Sequence, residues 1–196
     1  MSLKPDAAKI RILEAAKHCF AENGYNQTSV RQICEVADAN LALVSYYYGS
    51  KEKLYFAVLD QWYLEASQHF SKNTNVQNPK EELEQFISTF LYMRKHDKQF
   101  HMLLRHELSS ESPRKEFVSK LVKPYLERLR NILSAGKEKN VFHYESLELI
   151  SKFIISILVY PAYDSFLLEA QDGQESAWED EVRQTTNFIF AGLEIR

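Results

Sequence analysis

The amino-acid sequence predicts an all-α protein, with an N-terminal three-helix domain of helix-turn-helix type followed by a larger helical domain. Three observations carry this. Apolar residues recur at spacings of three and four along most of the chain, and only five glycines and five prolines interrupt its 196 residues. The third is the stretch Thr28 to Leu54, TSVRQICEVADANLALVSYYYGSKEKL, which reads as two short helices, a tight turn between them, and a further helix that opens with lysines. That arrangement presents one helix to a DNA groove.

The elements follow from local chemistry. Thr28 is a suitable N-cap, and Val30, Ile33, Cys34 and Ala37 form the apolar stripe of a short helix whose outer side carries Arg31, Gln32 and Glu35. Asp38 stands where the chain needs a left-handed residue, and Asn40 is a natural N-cap for a second helix over about Leu41 to Tyr47. Val44 and Tyr48 lie four apart and anchor that helix inward. Leu41, Ala42, Ser45 and Tyr46 are left outside as candidate base readers. Gly49-Ser50 ends the helix and caps the next, placing Lys51 and Lys53 beside N-terminal amides that favour an anionic phosphate.

These residues resemble the TetR family of bacterial transcriptional regulators. Ile12-Leu13-Ala15-Ala16 with Phe20 and Glu22-Asn23-Gly24-Tyr25 is similar to the family's first helix and its closing glycine turn, and Thr28 to Ile33 to its second helix. Val44 to Leu54 is similar to the recognition helix and the start of the connecting helix. The resemblance covers residues 10 to 60, about a quarter of the chain. It implies a DNA-binding domain at 1–60 and a helical effector-binding and dimerisation domain at 61–196. It also implies phosphate contacts from Thr28, Tyr46, Tyr47 and Lys51, with Arg31, Leu41, Ala42 and Ser45 facing base edges. Three departures stand out: Asp38 where the family usually has Gly, Leu41 where it has a polar or basic residue, and Tyr48 where Phe is frequent. An apolar Leu41 and a small Ser45 leave little bidentate hydrogen bonding, so readout leans on thymine methyl groups and DNA shape.

Composition is that of an ordinary soluble protein, 45% hydrophobic and 26% charged, and large enough to bury a core. Residues 1–60 hold seven Lys or Arg against seven Asp or Glu, so the remainder carries the whole net charge of −3. DNA binding therefore rests on placement: Lys4, Lys9, Arg31, Lys51 and Lys53 toward DNA, Glu14, Glu22 and Asp60 elsewhere. Cys19 and Cys34 lack zinc spacing and sit on apolar stripes, as buried reduced thiols do. The first residues carry Lys4, Pro5 and Asp6 in place of an apolar run, so no targeting signal is expected, and the longest apolar stretch, Phe153 to Tyr163, is about half a membrane span. A cytoplasmic protein is expected.

Beyond residue 60 only periodicity remains. Leu54 to Phe70 continues as a connecting helix, SKNTNVQNP is a polar loop, and Pro79 starts a helix with Leu83, Phe86, Ile87, Phe90 and Leu91 on one face. A shorter helix spans Phe100 to Leu108. Phe117, Leu121, Tyr125, Leu129 and Ile132 mark a long one, bent or interrupted at Pro124. Ile150 to Tyr160 is apolar nearly all round and needs partners on more than one side. The closing helix carries Trp178, Val182, Thr185, Ile189 and Leu193, with Phe188 and Phe190 on its flanks. In the family such a pair of helices meets its copy in a second subunit, which makes a homodimer the expectation, with Ile189 in the interface.

Polar residues among the apolar ones of the second domain include Tyr92, His96, His101, Arg105, His106, Glu107 and Tyr125, then Tyr160, Tyr163 and Asp164. Tyr92, Arg105 and Tyr125 are the candidate lining of a small-molecule pocket. His101 and His106 lie about 140° apart around a helix, a poor pair for a metal. No phosphate loop, nucleophile elbow, metalloprotease motif or facing carboxylate pair is present, so neither catalysis nor a cofactor is expected. The sequence thus predicts a homodimeric repressor on a double-stranded DNA operator, released by a small-molecule effector. The alternative is a nucleoid or cell-division factor of the same fold without an effector.

Overall fold

The computed structural model describes residues 5–71, 78–109, 112–159 and 178–194, and among these the regular structure consists of nine helices. They are α1 (Pro5–Gln27), α2 (Val30–Ala37), α3 (Leu41–Tyr48), α4 (Lys51–Ser71), α5 (Pro79–His96), α6 (Lys98–Ser109), α7 (Lys115–Glu138), α8 (Leu147–Val159) and α9 (Trp178–Gly192). They form two compact units, one of residues 1–68 with 97–121, the other of residues 69–96 with 122–196. Residues 97–121 lie beyond position 60 in the chain, yet pack with the helix-turn-helix segment.

In the first unit α1 is the packing partner of α2, α3 and α6. Ile12, Ala16 and Phe20 of α1 are fully buried with Ile33 of α2 and Leu54 and Tyr55 of α4. Gly24 interrupts α1 with φ 71 and ψ 169, a conformation that residues with a Cβ rarely adopt, and so re-aims the chain before α2. Thr28 is not the N-cap of α2. Its side chain is 2% exposed and its hydroxyl donates to the carbonyls of Gly24 (2.8 Å) and Cys19 (2.9 Å), closing the turn from within. The cap is Ser29, whose Oγ accepts from the Gln32 amide while Gln32 Oε1 accepts from the Ser29 amide, a reciprocal capping box.

Residues 97–121 are tied in by charge and aromatic contacts. Lys17 of α1 pairs with Asp97 at 2.8 Å, and the other carboxylate oxygen of Asp97 accepts from the Phe100 amide at the start of α6. Deeper in the unit, Glu107 of α6 (3% exposed) pairs with Arg114 (7% exposed) at 3.2 Å and accepts the Tyr55 hydroxyl at 2.9 Å. The Arg114 guanidinium also lies 3.8 Å from the centre of the Tyr25 ring, which packs edge-on against Tyr55. Burial, and then the Glu107 carboxylate, pushes the Tyr55 phenol up, so it stays a donor. Cys19 and Cys34 are free and buried, and burial raises both thiols.

In the second unit α5 packs on α8 and α9. Leu83, Phe86, Ile87 and Leu91 fill its inner face, and Arg94 bonds the Leu158 carbonyl of α8 and the Glu181 carboxylate of α9. Arg128 of α7 donates to the Phe70 carbonyl (2.6 Å) at the end of α4. Of the bend or interruption expected at Pro124, the interruption does not occur: α7 runs through it as one helix. Tyr125, Leu129, Ile132 and Leu133 beyond the proline are all buried, and their packing offsets the one backbone bond that proline forfeits. At the far end of α7 a Cβ on Gly136 would fall 2.0 Å from the buried Phe142 ring, so only glycine admits that ring.

The Glu107–Arg114 pair yields the first prediction. Either Glu107→Ala or Arg114→Ala strands a buried charge, with an expected loss of about 3–5 kcal/mol in urea unfolding. Replacing both by apolar residues of similar size should recover most of that loss; a double variant as unstable as the singles would show that the pair itself carries the stability.

Candidate nucleic-acid interface

The turn between α2 and α3 is built as the local sequence dictates. Asp38 takes the left-handed conformation (φ 47, ψ 54) that ends α2, and Asn40 Oδ1 accepts from the Leu43 amide at 2.9 Å to start α3. A side chain from outside the turn then fixes it, because Arg11 of α1 donates to the carbonyls of Ala37 and Asp38, both at 3.1 Å. The far end of α3 is held to the same helix, since the Tyr48 hydroxyl donates to the Lys9 carbonyl at 2.8 Å. A phenylalanine could not make that bond, which gives the tyrosine at this position its physical role. Burial, then the Glu14 charge, pushes the Tyr48 phenol up to about 12. Val44 is the buried anchor between the two ends.

With α3 held from α1, its outward residues are those expected. Leu41 is 50% exposed and Tyr46 79% exposed, and Ala42 and Ser45 are exposed beside them. Arg31 is exposed on α2, and Tyr47 is half-buried with its ring 5.1 Å from that of Tyr46. Thr28 does not join this surface, being buried with its proton committed to backbone carbonyls. The exposed hydroxyl next to it belongs to Ser29, the capping residue.

Lys51 opens α4, whose cap is Ser50, with Oγ accepting from the Lys53 amide at 3.1 Å. Its ammonium sits 4.3 Å from the centre of the Tyr25 ring, and among the described residues it forms no ion pair with a carboxylate. Burial, and then repulsion from Arg114, draws its pKa down. A cation with an aromatic ring beneath it and another cation nearby gains from a phosphate that completes its neutralisation. Lys9 and Lys53 are exposed, Lys4 lies outside the described residues, and Glu14 is turned toward Gln61 of α4. Sequence periodicity did not identify Arg11, Tyr25 or Arg114, because each acts across a long separation in the chain.

The expected effector residues stand on three different helices, Tyr92 on α5, Arg105 on α6 and Tyr125 on α7. Tyr92 is 40% exposed on α5, stacked on His96 and 5.5 Å from the His69 ring. Tyr125 is buried on α7, 4.8 Å from Phe70. The Arg105 side chain, like Tyr160, Tyr163 and Asp164, lies outside those described. Among the described residues no group of three or more His, Cys, Asp and Glu is placed to hold a metal ion. No helix of the described residues is long and apolar enough to cross a membrane.

Comparison with known proteins agrees with this geometry. Residues 12–58 match the family model described as bacterial regulatory proteins, tetR family. The chain is 26% identical over 159 residues to the HTH-type transcriptional repressor NicS of Pseudomonas putida, covering 79% of this chain and 75% of that one. It is 26% identical over 162 residues to the probable HTH-type transcriptional regulator YttP of Bacillus subtilis, covering 79% and 77%. Among solved structures it resembles HlyIIR, a hemolysin II transcriptional regulator, at a TM-score of 0.77 and 28% identity over 94% of this chain and 98% of that one. Residues 12–58 thus carry the DNA-binding domain of the tetR family of bacterial regulatory proteins, and the chain is similar along most of its length to transcriptional regulators.

Proposed function

We propose that the protein is a homodimeric repressor that binds double-stranded DNA through α2, α3 and the start of α4, and that a small molecule held by the second unit releases it. The observation that carries the DNA reading is the exposed Leu41, Ala42, Ser45 and Tyr46 face, fixed at both ends from α1. In this reading residues 1–60 read DNA and residues 61–196 bind the effector and dimerise. Tyr46, Tyr47 and Lys51 take phosphates, and Arg31, Leu41, Ala42 and Ser45 face bases. Twofold assembly is supported by α8 and α9, which leave Leu149 (51%), Phe153 (59%) and Phe188 (68%) in solvent. Ile189 serves differently from expectation, being 3% exposed within the subunit and so part of its core. Tyr92 and Tyr125, which flank consecutive residues of α4, His69 and Phe70, remain the proposed effector contacts; Arg105, on α6, falls in the first unit and is not among them.

Lys51→Ala should weaken binding to all duplexes about equally and lower the salt slope by about one unit for each phosphate it no longer neutralises, measured by fluorescence anisotropy across a potassium chloride series. Relaxed sequence preference at an unchanged slope would place the backbone-facing side elsewhere. For the assembly, Phe188→Asp is expected to give a folded monomer by light scattering and circular dichroism, with the unmodified protein a dimer; a monomeric unmodified protein would contradict the proposal. For the effector, a compound shown by calorimetry to bind the second unit should reduce operator affinity by roughly 5- to 150-fold, and operator should reduce its affinity by the same factor. Equal operator affinity with and without that compound would favour a DNA-binding factor without an effector.

A further inference from the structure

The outward surface of α3 is unusual for what it lacks. The eight residues Leu41–Tyr48, LALVSYYY, contain no acid, no base and no side-chain amide. The amide-bearing residue before them is Asn40, and its carbonyl oxygen is committed to the Leu43 amide. Bidentate recognition of guanine or adenine in the major groove requires Arg, Lys, Asn or Gln, and within α3 none is available. What α3 offers at its N-terminal end, where a recognition helix meets base edges, is the half-exposed isobutyl group of Leu41 beside the methyl of Ala42. The apolar feature on a base edge in that groove is the C5-methyl of a pyrimidine.

We infer that Leu41 and Ala42 select the C5-methyl group itself, so that thymine and 5-methylcytosine are read alike at the bases facing the start of α3, and unmethylated cytosine is discriminated against. The inference rests on the proposed DNA-binding face and adds the chemical group that it recognises. Ser45, with one hydroxyl, accepts or donates to several bases and adds little selectivity. Arg31, exposed on α2, is the long polar side chain available to fix register against a guanine or a phosphate. Specificity at the centre of each half-site then depends on methyl groups, and cytosine methylation within the operator would raise affinity.

The test uses the full-length protein and a duplex enriched by it from a random pool. That duplex is resynthesised with deoxyuridine for one thymidine at a time, which removes a methyl and keeps every hydrogen-bonding edge. One or two positions in each half-site should lose about fourfold in affinity per methyl, the factor corresponding to about 0.8 kcal/mol for one buried CH₂. At the same positions a 5-methylcytosine·guanine pair should bind better than cytosine·guanine by a similar factor. Leu41→Ala, a substitution at a half-exposed residue whose retained melting temperature is checked first, should abolish the sensitivity at one of them. An enriched duplex indifferent to deoxyuridine at every position overturns the inference and leaves DNA binding intact. Sensitivity that persists unchanged in both Leu41→Ala and Ala42→Gly overturns it also, in favour of DNA shape. If no duplex is enriched, the DNA-binding reading falls and this inference with it.

Discussion

A helix of eight residues has almost no stability of its own, so the orientation of α3 depends on being gripped from outside. The grip comes from α1, at both ends of the helix. Arg11 holds the turn before α3 by the carbonyls of Ala37 and Asp38, and the Lys9 carbonyl holds the Tyr48 hydroxyl at its end. Val44 adds one buried anchor between them. Because these attachments use the inner side of α3, the outer side is left free of structural duties. A surface that owes nothing to stability can vary in sequence without unfolding the domain, and here it carries neither charge nor side-chain amide.

The same economy extends to α4. Lys51 follows a Ser50 cap and stands over Tyr25, and Tyr25 is in turn covered by the Arg114 guanidinium. Arg114 is buried with Glu107, and the pair reaches Tyr55 within the same unit. The Lys51 charge at the start of α4 is therefore connected, through one aromatic cluster, to a buried ion pair supplied by α6 and the segment before α7. A displacement of Glu107 or Arg114 would alter the field at Lys51 without touching DNA, because Arg114 already lowers the Lys51 pKa by repulsion.

What could be read from the sequence follows from the range of the interactions. The caps and turns of the first domain are local, so Asp38, Asn40, Gly49 and Ser50 announce them within a few residues. The helical faces of α2, α3 and α5 follow from spacing alone. Thr28, expected as the cap of α2, is withdrawn from that role by its buried contacts with the carbonyls of Cys19 and Gly24, which leave the cap to Ser29. Arg11, the hydroxyl of Tyr48, and the contacts of Glu107 with Tyr55 and of Arg114 with Tyr25 act between residues far apart in the chain, which no local pattern encodes. Pro124 does not interrupt α7: its local cost is visible in the sequence, and the packing that offsets it, around Tyr125 and Leu129, is not. Ile189 and Phe188 show the same limit: adjacent apolar residues on one helix, one in the core and one in solvent.

The central claim is that DNA meets the protein on α2, α3 and the opening turn of α4. Hydrogen exchange of the full-length protein with and without an enriched duplex tests it directly, peptide by peptide. Added protection should concentrate in peptides spanning residues 28–53, with the amides of α3 slowed most. Protection confined to α5, α8 or α9, with residues 28–53 unchanged by the duplex, would contradict the account.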